Sequence, residues 1–96
     1  MVIYVDQIFT ATPRTAQARR YGDCWSHMTC DGDLEELHQF AERLGLRRAY
    51  FQPHALLPHY DLTASKRAIA VRLGAKETTT LERVQWAKSH KLEVKP

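Results

Sequence analysis

The run HisTyrAspLeuThrAlaSerLysArg, residues 59–67, sets an imidazole, a phenol, a carboxylate, two hydroxyls and two cations within nine residues. His59 and Asp61 are two apart, so in extended chain they project to the same side. A paired imidazole and carboxylate can hold a cation, move a proton or orient a ligand. Ser65, Lys66 and Arg67 follow where a helix is expected to begin. Unpaired N–H groups and the positive end of the helix dipole make such a place suited to an anion. Two cations in a first turn oppose that dipole, and a docked anion would reverse the conflict. The alternative is a solvated basic turn.

Three other positions join this run. Asp6 closes an apolar stretch, MetValIleTyrValAsp, where a functional carboxylate and a turn-forming one are both common. Trp25 and His27 fall on one face of an expected strand over 24–30, a pairing that suits a nucleobase or another planar ring. A core tryptophan beside a satisfied histidine reads equally well. Tyr60 is a second candidate ring, or a core aromatic. Asp6, His27, His59 and Asp61 could together form a metal-dependent or acid–base hydrolase. The spacing of His54 from His59 matches no ligand motif, so no metal and no cofactor is assigned.

The elements that position these groups follow from periodicity and caps. Residues 1–6 read as a first strand, 7–22 as a long basic loop holding Arg14, Arg19 and Arg20 with no acid, and 24–30 as a second strand. Asp33 with Glu36 resembles a capping box, and Leu34, Leu37, Phe40, Ala41 and Leu44 recur at helical spacing up to Gly45. ArgArgAlaTyrPheGln, from Arg47, then has strand character, and Pro53 and Pro58 bracket a loop. A second helix, capped by Thr63 or Asp61, contains Ala68, Ile69 and Leu73 and stops at Gly74. A short strand at 76–80 precedes a last helix, which Thr79 and Glu82 would cap, running to about His90. ArgLeuGly ends both of the first two helices, at 43–45 and 72–74. The predicted fold is α/β: a single domain with a small mixed β-sheet of about four strands and about three helices. Ligands in such sheets tend to lie beyond the carboxyl ends of the strands, an edge that Asp6 and residues 53–67 could share.

Composition excludes several classes. With 44% apolar and 26% charged residues, the 96-residue chain is long enough for one modest core. Cys24 and Cys30 form no CxxC pair. On one strand they would stand about 20 Å apart, too far to bridge. A reducing cytoplasm is the expected home. No signal peptide or membrane span is expected, and GxGxxG, P-loop, HExxH and nucleophile-elbow motifs are absent from the sequence. A net charge of +3, concentrated in 7–22 and in the tail, argues only weakly for nucleic acid.

IleTyrValAsp at the start, TrpSerHis at 25–27, LeuGluGluLeuHisGlnPheAlaGluArgLeuGlyLeu at 34–46 and HisTyrAsp at 59–61 together resemble a small bacterial and phage family, domain of unknown function 4031. The resemblance spans most of the chain and marks Asp6, Trp25, His27, His59 and Asp61. It implies no activity. The 7–22 loop is longer than the proline-bearing connection of such sequences.

The leading expectation is a binding protein for an anionic, nucleotide-like small molecule, in a phage setting one that sequesters a host nucleotide signal. Arg19, Arg20, Lys66 and Arg67 would meet phosphate, with Ser65 at the same helix start. Trp25 or Tyr60 would stack on the ring, and His27, His59 and Asp61 would orient it. A homo-oligomer is expected, since so small a chain often builds its pocket between subunits. The alternatives are a phosphoesterase or nucleotide hydrolase built on Asp6, His27, His59 and Asp61, and a nucleic-acid-binding protein.

Overall fold

A computed structural model of the chain describes residues 2–10 and 24–90. Arg14, Arg19, Arg20 and the tail beyond His90 lie outside the described residues. The described chain forms strands β1 (Ile3–Val5), β2 (Phe9–Thr10) and β3 (Cys24–Cys30), helix α1 (Leu34–Arg43), a single 3₁₀ turn (Arg48–Tyr50), strands β4 (Phe51–Gln52) and β5 (His59–Thr63), helix α2 (Ala64–Arg72), strand β6 (Lys76–Glu77) and helix α3 (Thr80–His90). The sheet runs β4-β5-β3-β1-β6, with β2 also paired to β3. This is the mixed α/β architecture expected, with five strands side by side rather than about four. No described helix is long and apolar enough to cross a membrane.

β1 and β5 are both antiparallel to β3, whereas β6 is parallel to β1. β4 is antiparallel to β5 and therefore parallel to β3. Each of the first two helices thus links parallel strands that are not neighbours: α1 carries the chain from β3 past β5 to β4, and α2 carries it from β5 past β3 and β1 to β6. Both helices pack on one face. There Val5, Met28, Cys30, Leu37, Phe40, Ala41, Leu44, Tyr60, Leu62 and Ala70 form the core. α3 covers part of the opposite face, where Arg83 donates to the Thr29 hydroxyl at 2.9 Å and the Cys30 carbonyl at 2.8 Å between the rings of Tyr4 and Trp86. Charge-assisted bonds of this kind contribute about 1.5–3 kcal/mol each and offset part of the cost of burying the guanidinium, whose pKa burial still lowers.

The caps match the sequence reading. The Asp33 carboxylate accepts the Glu35 N–H, Thr63 accepts that of Lys66, and Thr79 accepts that of Glu82. Gly45 (φ 78°) and Gly74 (φ 110°) adopt the left-handed conformation that closes α1 and α2, and in each case the next residue's N–H bonds back into the helix. The repeated ArgLeuGly therefore marks two copies of one helix stop.

Two local expectations are corrected. The stretch from Arg47 is not a strand throughout, because residues 48–50 make the 3₁₀ turn and only Phe51–Gln52 pair. The loop begun at residue 7 carries strand β2. Within α2, Ala70 is buried and Val71 packs against the core, while Ile69 and Leu73 are exposed.

Candidate active site

The register of β3 with its neighbours builds the site. Val5 pairs with Met28 and Phe9 with Trp25, so four steps along the first segment match three along β3. One extra residue is accommodated between them, as in a β-bulge, a device that re-aims side chains. Asp6 lies at this irregularity. Its N–H donates to the His27 carbonyl at 3.1 Å, and its Oδ1 accepts the His27 backbone N–H at 2.6 Å. Its Oδ2 meets His27 Nδ1 at 2.7 Å and also accepts the Thr80 hydroxyl at 2.7 Å. Asp6 is only 2% exposed. Burial pushes its pKa up, but the bonds from His27 and Thr80 outweigh burial and hold it below the usual 3.8. The group is thus an anion that can only accept, and it fixes a proton on His27 Nδ1. The lone pair of the neutral ring is then on Nε2.

β5 supplies the other half. His27 pairs directly with Asp61 across the strands, and alternation places His59 and Asp61 on one face with Tyr60 and Leu62 on the other. His59 Nδ1 donates to the Leu57 carbonyl at 2.9 Å, which again leaves Nε2 with the lone pair. His27 Nε2 stands 4.0 Å from Asp61 Oδ1, and His59 Nε2 stands 3.5 Å from the same oxygen. The three ligand atoms lie within 4.8 Å of one another. The two imidazoles meet edge to face, and Phe9 stacks on His27. Burial lowers the pKa of His59, but the Asp61 carboxylate and the Leu57 carbonyl more than reverse this, raising it above the ordinary 6.5.

Two imidazole lone pairs and a carboxylate therefore face a common point. Three acceptors that share such a point are brought together by a hydrogen-bond donor or by a metal cation between them. Ligands about 2.1 Å from a tetrahedral cation stand about 3.4 Å apart, so the widest pair of the trio, up to 4.8 Å, needs to close by at most about 1.4 Å to become a coordination set. Asp6 behind His27 and the Leu57 carbonyl behind His59 are the outer partners that metal-binding histidines usually have.

Asp6, His27, His59 and Asp61 thus come together as the sequence reading grouped them, on a face of the sheet rather than beyond its strand ends. Tyr60 does not join them. It is 1% exposed on the α1 side, and its hydroxyl bonds His38 Nδ1 at 2.7 Å. Trp25 shares the face of His27 but is buried, which corrects the expectation of an open stacking surface.

The anion clamp is corrected too. Lys66 Nζ donates to the Leu44 carbonyl at 2.6 Å, so it neutralises the carboxyl end of α1. Arg67 Nε donates to the Asp6 carbonyl at 2.8 Å, and its Nη1 meets Glu77 at 3.0 Å. The two cations that oppose their own helix dipole are held by groups outside that helix, the Leu44 and Asp6 carbonyls and the Glu77 carboxylate. Ser65 is exposed at the start of α2 and belongs to no part of the trio.

Thr80 and Gln7 escaped the sequence reading. Gln7 Oε1 accepts the Thr80 N–H at 2.9 Å, so the start of α3 is fastened to the segment carrying Asp6. Their only sequence signal is the capping pattern before α3.

The family model described as protein of unknown function (DUF4031) matches residues 3–90 of the chain. No curated protein and no solved structure matches it. The match takes in both strands that carry the trio and nearly every described residue, and the chain belongs to the DUF4031 family.

Proposed function

We propose that the protein is a divalent-metal-dependent hydrolase acting on an anionic, nucleotide-like phosphoester. His27, His59 and Asp61 are its metal ligands. One observation carries this reading: three acceptors converge, and both imidazoles are held by their far nitrogens so that their lone pairs face the same point. Two imidazoles and one carboxylate suit zinc-class ions, and a three-ligand set leaves positions for water and substrate.

The geometry favours this reading over a simple anion binder. The trio and Asp6 bring two carboxylates together, which repel a phosphate unless a cation intervenes. The cations Lys66 and Arg67 are bonded inside the protein. A divalent ion held by His27, His59 and Asp61 would neutralise the charge of the two carboxylates, and its chemistry would be to polarise a phosphoryl oxygen and to make water more acidic. In the hydrolysis the oxygen of water bonds to phosphorus and the ester P–O bond breaks. The leaving oxygen takes a proton from solvent.

The test is release of p-nitrophenol from bis(p-nitrophenyl) phosphate, run beside a nucleotide panel. Activity should appear on adding Zn²⁺ or Mn²⁺, vanish with chelator, and fall at least about a hundredfold in His59→Ala. Turnover that survives chelator and His59→Ala would contradict the proposal, as would a metal-loaded protein inert towards every substrate.

A further inference from the structure

The loop before β5 holds a third imidazole beside these two, and its proton sits the opposite way. His54 Nδ1 faces the backbone N–H groups of Leu56 and Leu57, at 3.3 and 3.4 Å. A nitrogen that accepts from two donors carries the lone pair, so the proton of this ring is on Nε2. His59, five residues later, carries its proton on Nδ1 because it donates to the Leu57 carbonyl. Leu57 thus sets both tautomers, its N–H side turning His54 into a donor and its C=O side turning His59 into an acceptor. The two rings are 6.3 Å apart between centroids. Pro53 and the buried Pro58 bracket this loop and restrict its backbone. His54 is exposed, and no described residue accepts its Nε2–H.

We propose that His54 is the oxyanion donor of this site: its Nε2–H binds a non-bridging oxygen of a phosphate whose other oxygen rests on the ion held by His27, His59 and Asp61. The trio consists only of acceptors and has nothing with which to grip an anion's outer oxygens. His54 supplies that missing polarity from the adjoining loop. This assignment rests on the metal reading above.

The probe is inorganic phosphate, titrated calorimetrically into the Zn²⁺-loaded chain, with Zn²⁺ affinity measured separately on the same variants. His54→Ala should bind Zn²⁺ within about twofold of wild type and phosphate about tenfold more weakly, the worth of one hydrogen bond to a charged group. His54→Gln, whose side-chain N–H can reach a similar place, should recover most of that loss. Equal phosphate affinity in wild type and His54→Ala would overturn the assignment. A fall in Zn²⁺ affinity in His54→Ala would also overturn it, by making His54 a ligand. If wild type takes no Zn²⁺, the metal reading fails on its own, and His54 is then judged on the metal-free protein. There, unchanged phosphate binding in His54→Ala rejects the donor role.

Discussion

Asp6→Asn should weaken Zn²⁺ binding by between about tenfold and a hundredfold while leaving the protein folded. The reason lies in which atom meets which. Asp6 Oδ1 accepts the backbone N–H of His27, a group that can only donate. An asparagine at this position must therefore turn its oxygen towards that N–H, and its NH₂ falls where Oδ2 now meets His27 Nδ1. An amide N–H there donates to Nδ1 and drives the ring proton onto Nε2, the nitrogen that faces Asp61. The variant keeps the shape of the site and presents the wrong tautomer to the ion. The Thr80 hydroxyl, which donates to the same Oδ2, must also reverse its bond. Calorimetric titration with Zn²⁺ measures the loss. Affinity unchanged in Asp6→Asn would show that His27 does not bind through Nε2.

His59→Ala should have the larger effect, a loss on the order of a hundredfold or more. Structural zinc sites bind with about 10–16 kcal/mol shared among their ligands, so a single imidazole carries roughly 3 kcal/mol. The variant also tests a change of sign with pH. In the metal-free protein His59 has a raised pKa, so its contribution to stability is complete below 6.5 and is lost as pH rises through the higher folded value. A metal ion needs the unprotonated ring, so its contribution grows over the same window. The thermal shift that Zn²⁺ produces should therefore widen as pH rises through the raised His59 value, and His59→Ala should abolish that widening. A shift that is flat across the window in wild type would argue against His59 as a ligand.

Much of this site was legible because strand alternation is a local rule. The two-residue spacing of His59 and Asp61 places them on one face of β5, and TrpSerHis places His27 on one face of β3. The same rule separates Tyr60 from His59, so its exclusion from the site was readable from alternation alone. Register was not readable. That His27 stands opposite Asp61 depends on strand pairing and on the extra residue between Val5 and Phe9, neither of which local pattern determines. Thr80 was beyond reach because it bonds a carboxylate 74 positions earlier. Lys66 and Arg67 were misread for a related reason. Local sequence shows only the dipole of their own helix, whereas Lys66 bonds a carbonyl 22 positions earlier and Arg67 one that is 61 positions earlier. Helices and caps, whose causes lie within a few residues, were placed almost as they stand.

The most direct test of the account is a calorimetric Zn²⁺ titration of the whole chain at about pH 7.5 and about pH 5.5, repeated with the His27→Ala/His59→Ala double variant. The account predicts one ion per chain, bound more weakly and with greater proton release at the lower pH, where more of the His59 imidazole is protonated. It also predicts that the double variant does not bind at either pH. Absence of binding in wild type, or equal binding by the double variant, would contradict it.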